Sequence, residues 1–591
     1  MMQSKALSDL IERFIKLPTA QRKTLYPQLL GKGINVARLP IPVTREAFAR
    51  LPLSFAQERQ WFLWELDPTS TAYNLPTALR LRGALDRQAL QAAFDALVAR
   101  HESLRTRFVE SDGQRHQVVD AAATLHLEPV ALPAGDDSLE ARLQAYVNAQ
   151  VARPFDLLGE PLLRVQLVAL GAHDHALLLV QHHIVSDAWS MQVMVEELVH
   201  LYHAASLGQP ASLPALPIQY ADYAVWQRHW MEAGERERQL EYWTQQLGSG
   251  QSVLELPTDH PRPPTQSGRG ARLDLALDAE LAERLKQLAK AQNVTLFMLL
   301  LASFQTLLHR YSGQDDIRVG VPIANRNRVE TERLIGFFVN TQVLKAGFSA
   351  RQSFVALLEQ VKAASLGAQE HQELPFEQLV EALQPERSLS IHPLFQVMFN
   401  HLGAQPSQGG AAPGAALQVE GLTWETQSAQ FDLTLNTSET QTGLVATLTY
   451  ARDLFEHASI ERMGRHWINL LHGIVANPEA NVAELPLLDA EEQALIVEQW
   501  NDTAVTDYPL DTPVHHLIEQ QVLATPNAPA LRFGAQELSY VELNQRANQL
   551  AHQLIALGVG PEVLVGIAVE RSLEMVVGLL AILKAGGAYV P

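Results

Sequence analysis

The ten residues Gln181–His182–His183–Ile184–Val185–Ser186–Asp187–Ala188–Trp189–Ser190 decide how the rest of the chain is read. An apolar run, Ala176 to Val180, leads into the two histidines, and an aspartate follows four residues after the second. Met191, Met194, Val195, Leu198, Leu201 and Tyr202 then recur at helical spacing, which predicts a helix from near Ser190. A buried strand that ends in His-His and turns into a helix puts one imidazole at the edge of an element. Adjacent strand residues face opposite ways, so the two rings cannot share one task. One is expected to pack and the other to face a channel, where an imidazole serves as a base near neutral pH.

Bulk composition narrows the class. A chain of 591 residues is too long for one core and points to several domains. With 45 Lys and Arg against 65 Asp and Glu, the net charge of −20 argues against general nucleic-acid binding. The absence of cysteine excludes disulfides, thiolate metal sites and a cysteine nucleophile. Asp9, Glu12 and Arg13 interrupt the first apolar residues, so no signal peptide is readable. The apolar runs Leu296–Phe304 and Met575–Leu583 are too short to span a bilayer. The expectation is a cytoplasmic protein with no nucleic-acid, membrane or metal partner.

Working outward, residues 1–47 read as a separate helical linker or docking element. Leu7, Leu10, Ile11, Phe14 and Ile15 mark one helix face, and Leu25, Leu29 and Leu30 a second, stopped by Gly31 and Gly33. Such a hairpin either packs on its own protein or receives a partner. Residues 48–264 read as one α/β lobe, with helices at Ala56–Leu66, Asp86–Arg100, Leu139–Ala152, Ile218–Trp230 and Gln239–Leu247, and strands at Thr77–Leu81 and Leu162–Leu170. The Pro/Gly-rich Pro257–Gly270 is the internal boundary. Residues 265–484 read as a second lobe, with helices at Asp278–Gln292 and Thr295–His309 and strands at Asp316–Val321, Phe431–Asn436 and Leu444–Tyr450. Gly403–Ala416 reads as a loop. Residues 485–513 are expected to be a linker. Residues 514–591 make a fresh βαβα start, with helices at Leu538–Leu557 and Met575–Leu583.

These residues carry a resemblance. His182-His183-Ile-Val-Ser-Asp187-Ala188 is similar to the His-His-x-x-x-Asp-Gly core motif of nonribosomal peptide synthetase condensation domains, except at its last position. Six further stretches match in order: Ser54-Phe-Ala-Gln-Glu-Arg-Gln-Trp61, Arg100-His-Glu-Ser-Leu-Arg-Thr-Arg-Phe108, Tyr220-Ala-Asp-Tyr-Ala-Val-Trp226, Ile335-Gly-Phe-Phe-Val-Asn-Thr-Gln342, His371-Gln-Glu-Leu-Pro-Phe-Glu377 and His392-Pro-Leu-Phe395. Leu538-Ser-Tyr-Val-Glu-Leu543 and Leu583-Lys-Ala-Gly-Gly-Ala-Tyr-Val-Pro591 resemble the first two motifs of an adenylation domain, whose phosphate loop and later motifs do not follow. The motif wording, including Arg59-Gln-Trp-Phe-Leu-Trp64, is similar to that of pyoverdine-type siderophore synthetases of pseudomonads.

The resemblance implies an α/β fold of two chloramphenicol-acetyltransferase-like lobes in a V-shaped pseudo-dimer, with the active site between them. It implies no bound cofactor. Both substrates are thioesters on phosphopantetheine arms, brought by an upstream donor carrier protein and a downstream acceptor carrier protein. The acceptor's amine attacks the donor thioester to form an amide. If Met1 is the native start, the donor carrier is expected in trans, docking on the first helices, and the rest of an adenylation domain is expected as a further partner. Readings from the same fold are an epimerisation domain, which the position before an adenylation start disfavours, and a catalytically silent carrier-docking platform.

The motif assigns the catalytic group His183, His182 and Asp187, with unequal roles. His183 is the base or the group that orients the amine, and His182 is structural. Asp187 either orients His183 as in a triad or pairs with a buried arginine, for which Arg326 in Gly320-Val-Pro-Ile-Ala-Asn-Arg326 is the candidate and Arg328 the neighbour. Ala188, in place of the motif glycine, predicts either a strained left-handed backbone or a methyl beside the acceptor amine. Trp189, Asn340 and Gln342 are candidate channel-lining residues. Trp189, Tyr220, Tyr223 and Trp226 also suit a core, and Arg105 and Arg107 suit lobe bracing. A metal site on His182, His183 and Asp187 lacks a further clustered ligand.

Overall fold

The computed structural model describes residues 2–591 other than 122–124, 126, 136, 249, 251–252, 385–387, 389, 404–416, 423–427, 441–442 and 504–506. The Gly403–Ala416 loop therefore lies, from residue 404 on, outside the described residues. The chain forms two compact units, Met1–Ala490 and Glu491–Pro591.

The first unit is built on two large sheets. One has five strands in the order Leu417–Gly421, Asn74–Gly83, Asp174–His182, Leu163–Gly171 and Pro129–Ala131. The histidine-bearing strand Asp174–His182 is central, antiparallel to both neighbours. Both of its faces are covered, which is why it reads as an unbroken apolar run and not as an alternation. Leu177 and Leu179 pack with Phe94, Leu97 and Met194 of the helices Arg87–Arg100 and Ala188–Ser206. Ala176, Leu178 and Val180 pack on the other side with Trp61, Phe108, Leu143 and Val147. Each fully buried aliphatic side chain of this kind contributes about 1.5–3 kcal/mol.

The second sheet has six strands in the order Asn340–Gly347, Asp316–Ile323, Val397–Leu402, Leu433–Thr440, Gly443–Ala451 and Gly270–Ala276. Helix Leu296–Ser312 lies over it with Leu299, Leu300, Leu301, Phe304, Leu307 and Leu308 all buried. The expected boundary at 264/265 divides the chain but not the sheets. Leu417–Gly421, from the second half, pairs antiparallel with Asn74–Gly83 and completes the first sheet.

Of the two readings of the N-terminal hairpin, the structure supplies packing on its own protein: in the helices Met2–Lys16 and Thr19–Gly31, Ile11, Phe14, Ile15, Tyr26 and Leu29 share one core with Trp226, Trp230 and Met231. Tyr26 donates to Glu235 at 2.5 Å and Arg22 pairs with Glu232 at 3.2 Å. The linker begins later than residue 485, because Leu485 is 2% exposed and its carbonyl accepts from Arg310. The helix expected from near Ser190 spans Ala188–Ser206, its start set two residues earlier by Asp187, which caps it.

The second unit carries the helices Val514–Ala524, Tyr540–Ala556 and Leu573–Lys584. It has an antiparallel pair, Pro529–Phe533 with Gln536–Ser539, and a parallel pair, Leu564–Gly566 with Ala588–Val590. Leu538, Leu543, Ala547, Leu573, Val577 and Leu580 form its core. Among the described residues of the whole chain, no single helix is long and apolar enough to cross a membrane.

Candidate active site

Strand Asp174–His182 delivers the two histidines to the point where the sheet ends. The chain turns through the short helix His183–Val185, and Asp187 then starts helix Ala188–Ser206. The turn is held from outside. The His183 N–H donates to the Tyr73 carbonyl at 2.9 Å, and Gln57 Nε2 donates to the Ile184 carbonyl at 3.3 Å. Gln57 is itself fixed by the capping box it forms with Ser54.

The two rings part as the strand geometry requires. His182 is 4% exposed, edge-on to Phe155, and its Nδ1 accepts the Ile184 N–H at 3.1 Å. Burial, with the His183 ring and Arg164 nearby, pushes its pKa down to about 3, so it is a neutral packing group at pH 7. His183 is half-buried. Its Nδ1 lies 2.8 Å from the Ser186 carbonyl. A carbonyl only accepts, so Nδ1 carries the proton and Nε2 presents a lone pair. Burial holds the His183 pKa below the ordinary imidazole range, against the upward pull of the Asp187 carboxylate and the Ser186 carbonyl. The imidazole is therefore an unprotonated base or hydrogen-bond acceptor at neutral pH. The Phe337 ring, 4.5 Å away by centroid, walls one side of it.

Asp187 is fully buried and spent on other groups. Oδ1 accepts from the Ser190 N–H at 2.7 Å and from Arg326 Nη2 at 3.0 Å, while Oδ2 accepts from the Phe338 N–H at 3.0 Å. Of the two partners left open by sequence, the geometry supplies the arginine. Arg326 also donates to the Thr331 and Leu334 carbonyls at 2.6 and 2.7 Å and lies 4.1 Å over the Phe338 ring. Ser190 Oγ joins the same seam, bonding the Gly336 carbonyl at 2.8 Å and N–H at 3.0 Å. A side chain at Gly336 would run into the Tyr220 ring, 2.0 Å from where its Cβ would stand. Tyr220 in turn donates to the Phe337 carbonyl at 2.5 Å and meets Ser54 Oγ at 2.8 Å. Four of the sequence motifs thus converge on one seam between the two sheets' halves.

The remaining candidates separate. Ala188 is exposed, is the first residue of its helix and is not among the residues with positive φ, so the left-handed reading fails. Trp189 is 44% exposed, so it is not a core residue, and it ties helix Ala188–Ser206 to the second half through Nε1 and the Glu332 carbonyl at 2.9 Å. Asn340 holds the loop that follows His371, donating to the Gln372 and Leu374 carbonyls and accepting from the Phe376 N–H. It also lines a cleft with Phe337. Gln342 is buried and donates to the Ala368 carbonyl at 2.6 Å, which fixes helix Phe354–Glu370. Arg105 and Arg107 both turn to Asp120, as braces.

Sequence reasoning passed over Arg59. It pairs with Glu377 at 3.2 Å across the two halves, lies 5.6 Å from the Phe376 ring and lowers the proton affinity of His183. Burial pushes the Glu377 and Glu373 carboxyls above their ordinary range. Their only signal in sequence is their place inside quoted motifs. Among the described residues, no three His, Asp or Glu side chains converge as a metal would need.

Residues 49–497 match the family described as condensation domain, and residues 518–591 match the AMP-binding enzyme family. A linear gramicidin synthase of Brevibacillus parabrevis is 46% identical over 542 residues, covering 92% of this chain and 11% of that protein. Malpinin synthetase of Mortierella alpina is 43% identical over 550 residues, covering 93% of this chain and 7% of that protein. The chain thus spans a small fraction of the length of these curated relatives. Among solved structures, the X-domain from teicoplanin biosynthesis is 30% identical with a TM-score of 0.67, covering 75% of this chain and 98% of that one. A holo four-domain nonribosomal peptide synthetase bound to AMP and glycine is 26% identical with a TM-score of 0.72, covering 92% of this chain and 42% of that one.

Proposed function

The chain belongs to the condensation-domain family, and we propose that it joins two carrier-bound groups by an amide bond. The free amine of an acceptor aminoacyl thioester attacks the carbonyl carbon of an upstream acyl or peptidyl thioester. The C–N bond forms, the C–S bond breaks, and the donor arm leaves as a thiol while the lengthened chain stays on the acceptor arm. The observation that carries this reading is the state of His183. Its Nδ1–H is committed to the Ser186 carbonyl, leaving a half-buried Nε2 with a free lone pair.

Aminolysis of a thioester is downhill, so the protein's main task is to hold amine and carbonyl in line, a term that reaches about 7–11 kcal/mol in well-oriented cases. A positioned base or acceptor adds about 10²–10⁴-fold. His183 Nε2 takes the amine hydrogen or fixes the amine's lone pair toward the carbonyl. His182 and Asp187, grouped with it by motif, act on its position only. His182 packs the strand end, and Asp187 locks the helix start to Arg326. Asn340 and Gln342 support the opposite wall through the loop and helix they hold.

A siderophore product of the pyoverdine type is the finer proposal. It rests on the wording of Arg59-Gln-Trp-Phe-Leu-Trp64 alone. The proposed setting is the cytoplasm, where carrier-bound thioesters are made. Mass spectrometry of carrier-bound products from loaded donor and acceptor carriers tests the reaction. A dipeptidyl acceptor with wild type, lost with His183→Ala, is expected. An epimerised donor without coupling, or two unchanged carriers, would replace the proposal by epimerisation or by silent docking.

A further inference from the structure

Beside His183 lies a small polar cleft, and Phe337 belongs to both: its ring stands 4.5 Å from the His183 ring and it lines the cleft with Arg59, Asn325, Asn340 and Glu377. Most polar side chains there are already spent. Asn340 uses both ends of its amide on backbone groups. Arg59 Nε pairs with Glu377 Oε1 at 3.2 Å, an ion pair that takes one atom of each group. Gln227 accepts from the Phe55 N–H and donates to Tyr223, and Glu373 accepts from Asn327. Asn325 differs. It is 7% exposed, and its Oδ1 is buried without a hydrogen-bond partner among the described residues. A buried acceptor left unmet is costly, and the cost is recovered when an N–H reaches it.

The chemistry of the cleft selects the donor. A free ammonium would meet the Arg59 guanidinium in the same space. A neutral amide N–H would not, and a carboxamide matches an amide as both donor and acceptor. The arms that the condensation reading brings to His183 carry two amides each along their length. Resting on that reading, we infer that the Asn325 side chain hydrogen-bonds an amide of a pantetheine arm and so sets how far the arm's thioester advances past Phe337 toward His183. Asn325 is then a positioning residue, not a catalytic one.

The backbone makes a clean test available. Asn325 has a φ of 51°, a conformation glycine accepts freely. Asn325→Gly therefore removes the carboxamide without straining the turn, and a melting curve verifies the fold. Binding is read by calorimetry on the whole chain with two inert pantetheine thioethers, one ending in an acyl ketone like the donor and one in an aminoalkyl group like the acceptor. The expected result is an affinity about tenfold weaker in the glycine variant for one of the two, which identifies the arm concerned. A butyl thioether with the same end group but no amide is expected to bind both proteins alike. Equal affinities of wild type and variant for both pantetheine probes would overturn the inference, as would an equal loss for the amide-free probe or no binding to wild type. Amide-dependent binding with no coupled product would leave the inference standing and count against the condensation reading alone.

Discussion

The seam at Asp187 and the cleft at Phe337 lie side by side and treat polar groups in opposite ways. In the seam the Asp187 carboxylate, the Ser190 hydroxyl and both Nη atoms of Arg326 are all hydrogen-bonded. In the cleft region Nε2 of His183 and Oδ1 of Asn325 stay free of protein partners among the described residues. A charge removed from water needs partners, and the Asp187 carboxylate has three donors, while Arg326 Nε alone on that guanidinium stays buried without a partner among the described residues. A group that must engage substrate cannot be saturated by its own protein. The difference separates residues that build the site from residues that use it, although one short motif holds both.

The largest expected effect falls on the using side. His183→Ala should lower coupled product by about 10²–10⁴-fold while the melting temperature stays put. Product within a few-fold of wild type would erase the contrast. On the building side, Asp187→Ala leaves Arg326 buried without its counter-charge and should cost about 3–5 kcal/mol in urea unfolding. A variant Asp187→Asn of unchanged stability but lost rate would instead make Asp187 part of the chemistry.

The two histidines also part on acidification. The unfolded chain takes up the His182 proton near 6.5, and the folded chain resists it until about 3. The unfolded state therefore binds more protons in that window. Stability is full above 6.5 and is lost as pH falls toward 3, by up to roughly 4–5 kcal/mol from this group. His182→Asn, which retains an acceptor for the Ile184 N–H, should flatten that slope in unfolding measured against pH. For His183 the same direction has a kinetic reading. Its proton affinity is lowered, so the acid limb of kcat should lie below 6.5. An acid limb above that value would show a ring charged in the resting enzyme. The smallest effect is expected at Ala188. It sits at the exposed first position of its helix with no positive φ, so Ala188→Gly should cost less than about 1 kcal/mol and shift the rate only a few-fold.

Much of the site was legible because it is locally written. The apolar run before His182 and the helical spacing after Ala188 are both patterns within one or two turns of chain. The hairpin joining Thr106–Ser111 to Gln114–Val119 was equally readable. Its Asp112-Gly113 turn has φ of 53° and 69°, the left-handed pair that such a dipeptide signals, yet the sequence reading placed no strands there. The roles of Trp189 and Asn325 were not legible. Trp189 was assigned to core or channel by its residue type, and it became a surface tie because Glu332 happens to offer a carbonyl. Nothing around Asn325 in sequence distinguishes a turn residue from one with an unmet acceptor.

By itself the order of residues determined the α/β character, the separation of the two histidine faces and the motif set that assigns the family. Those depend on periodicity and on adjacency, which neighbours in the chain settle between themselves. Only the tertiary structure decided that Leu417–Gly421 completes the first sheet, that Asp187 belongs to Arg326 and that the first two helices are part of the core. Each of these joins residues far apart in sequence. Which distant group answers a buried charge, a bare strand edge or an apolar stripe depends on the path of the whole chain.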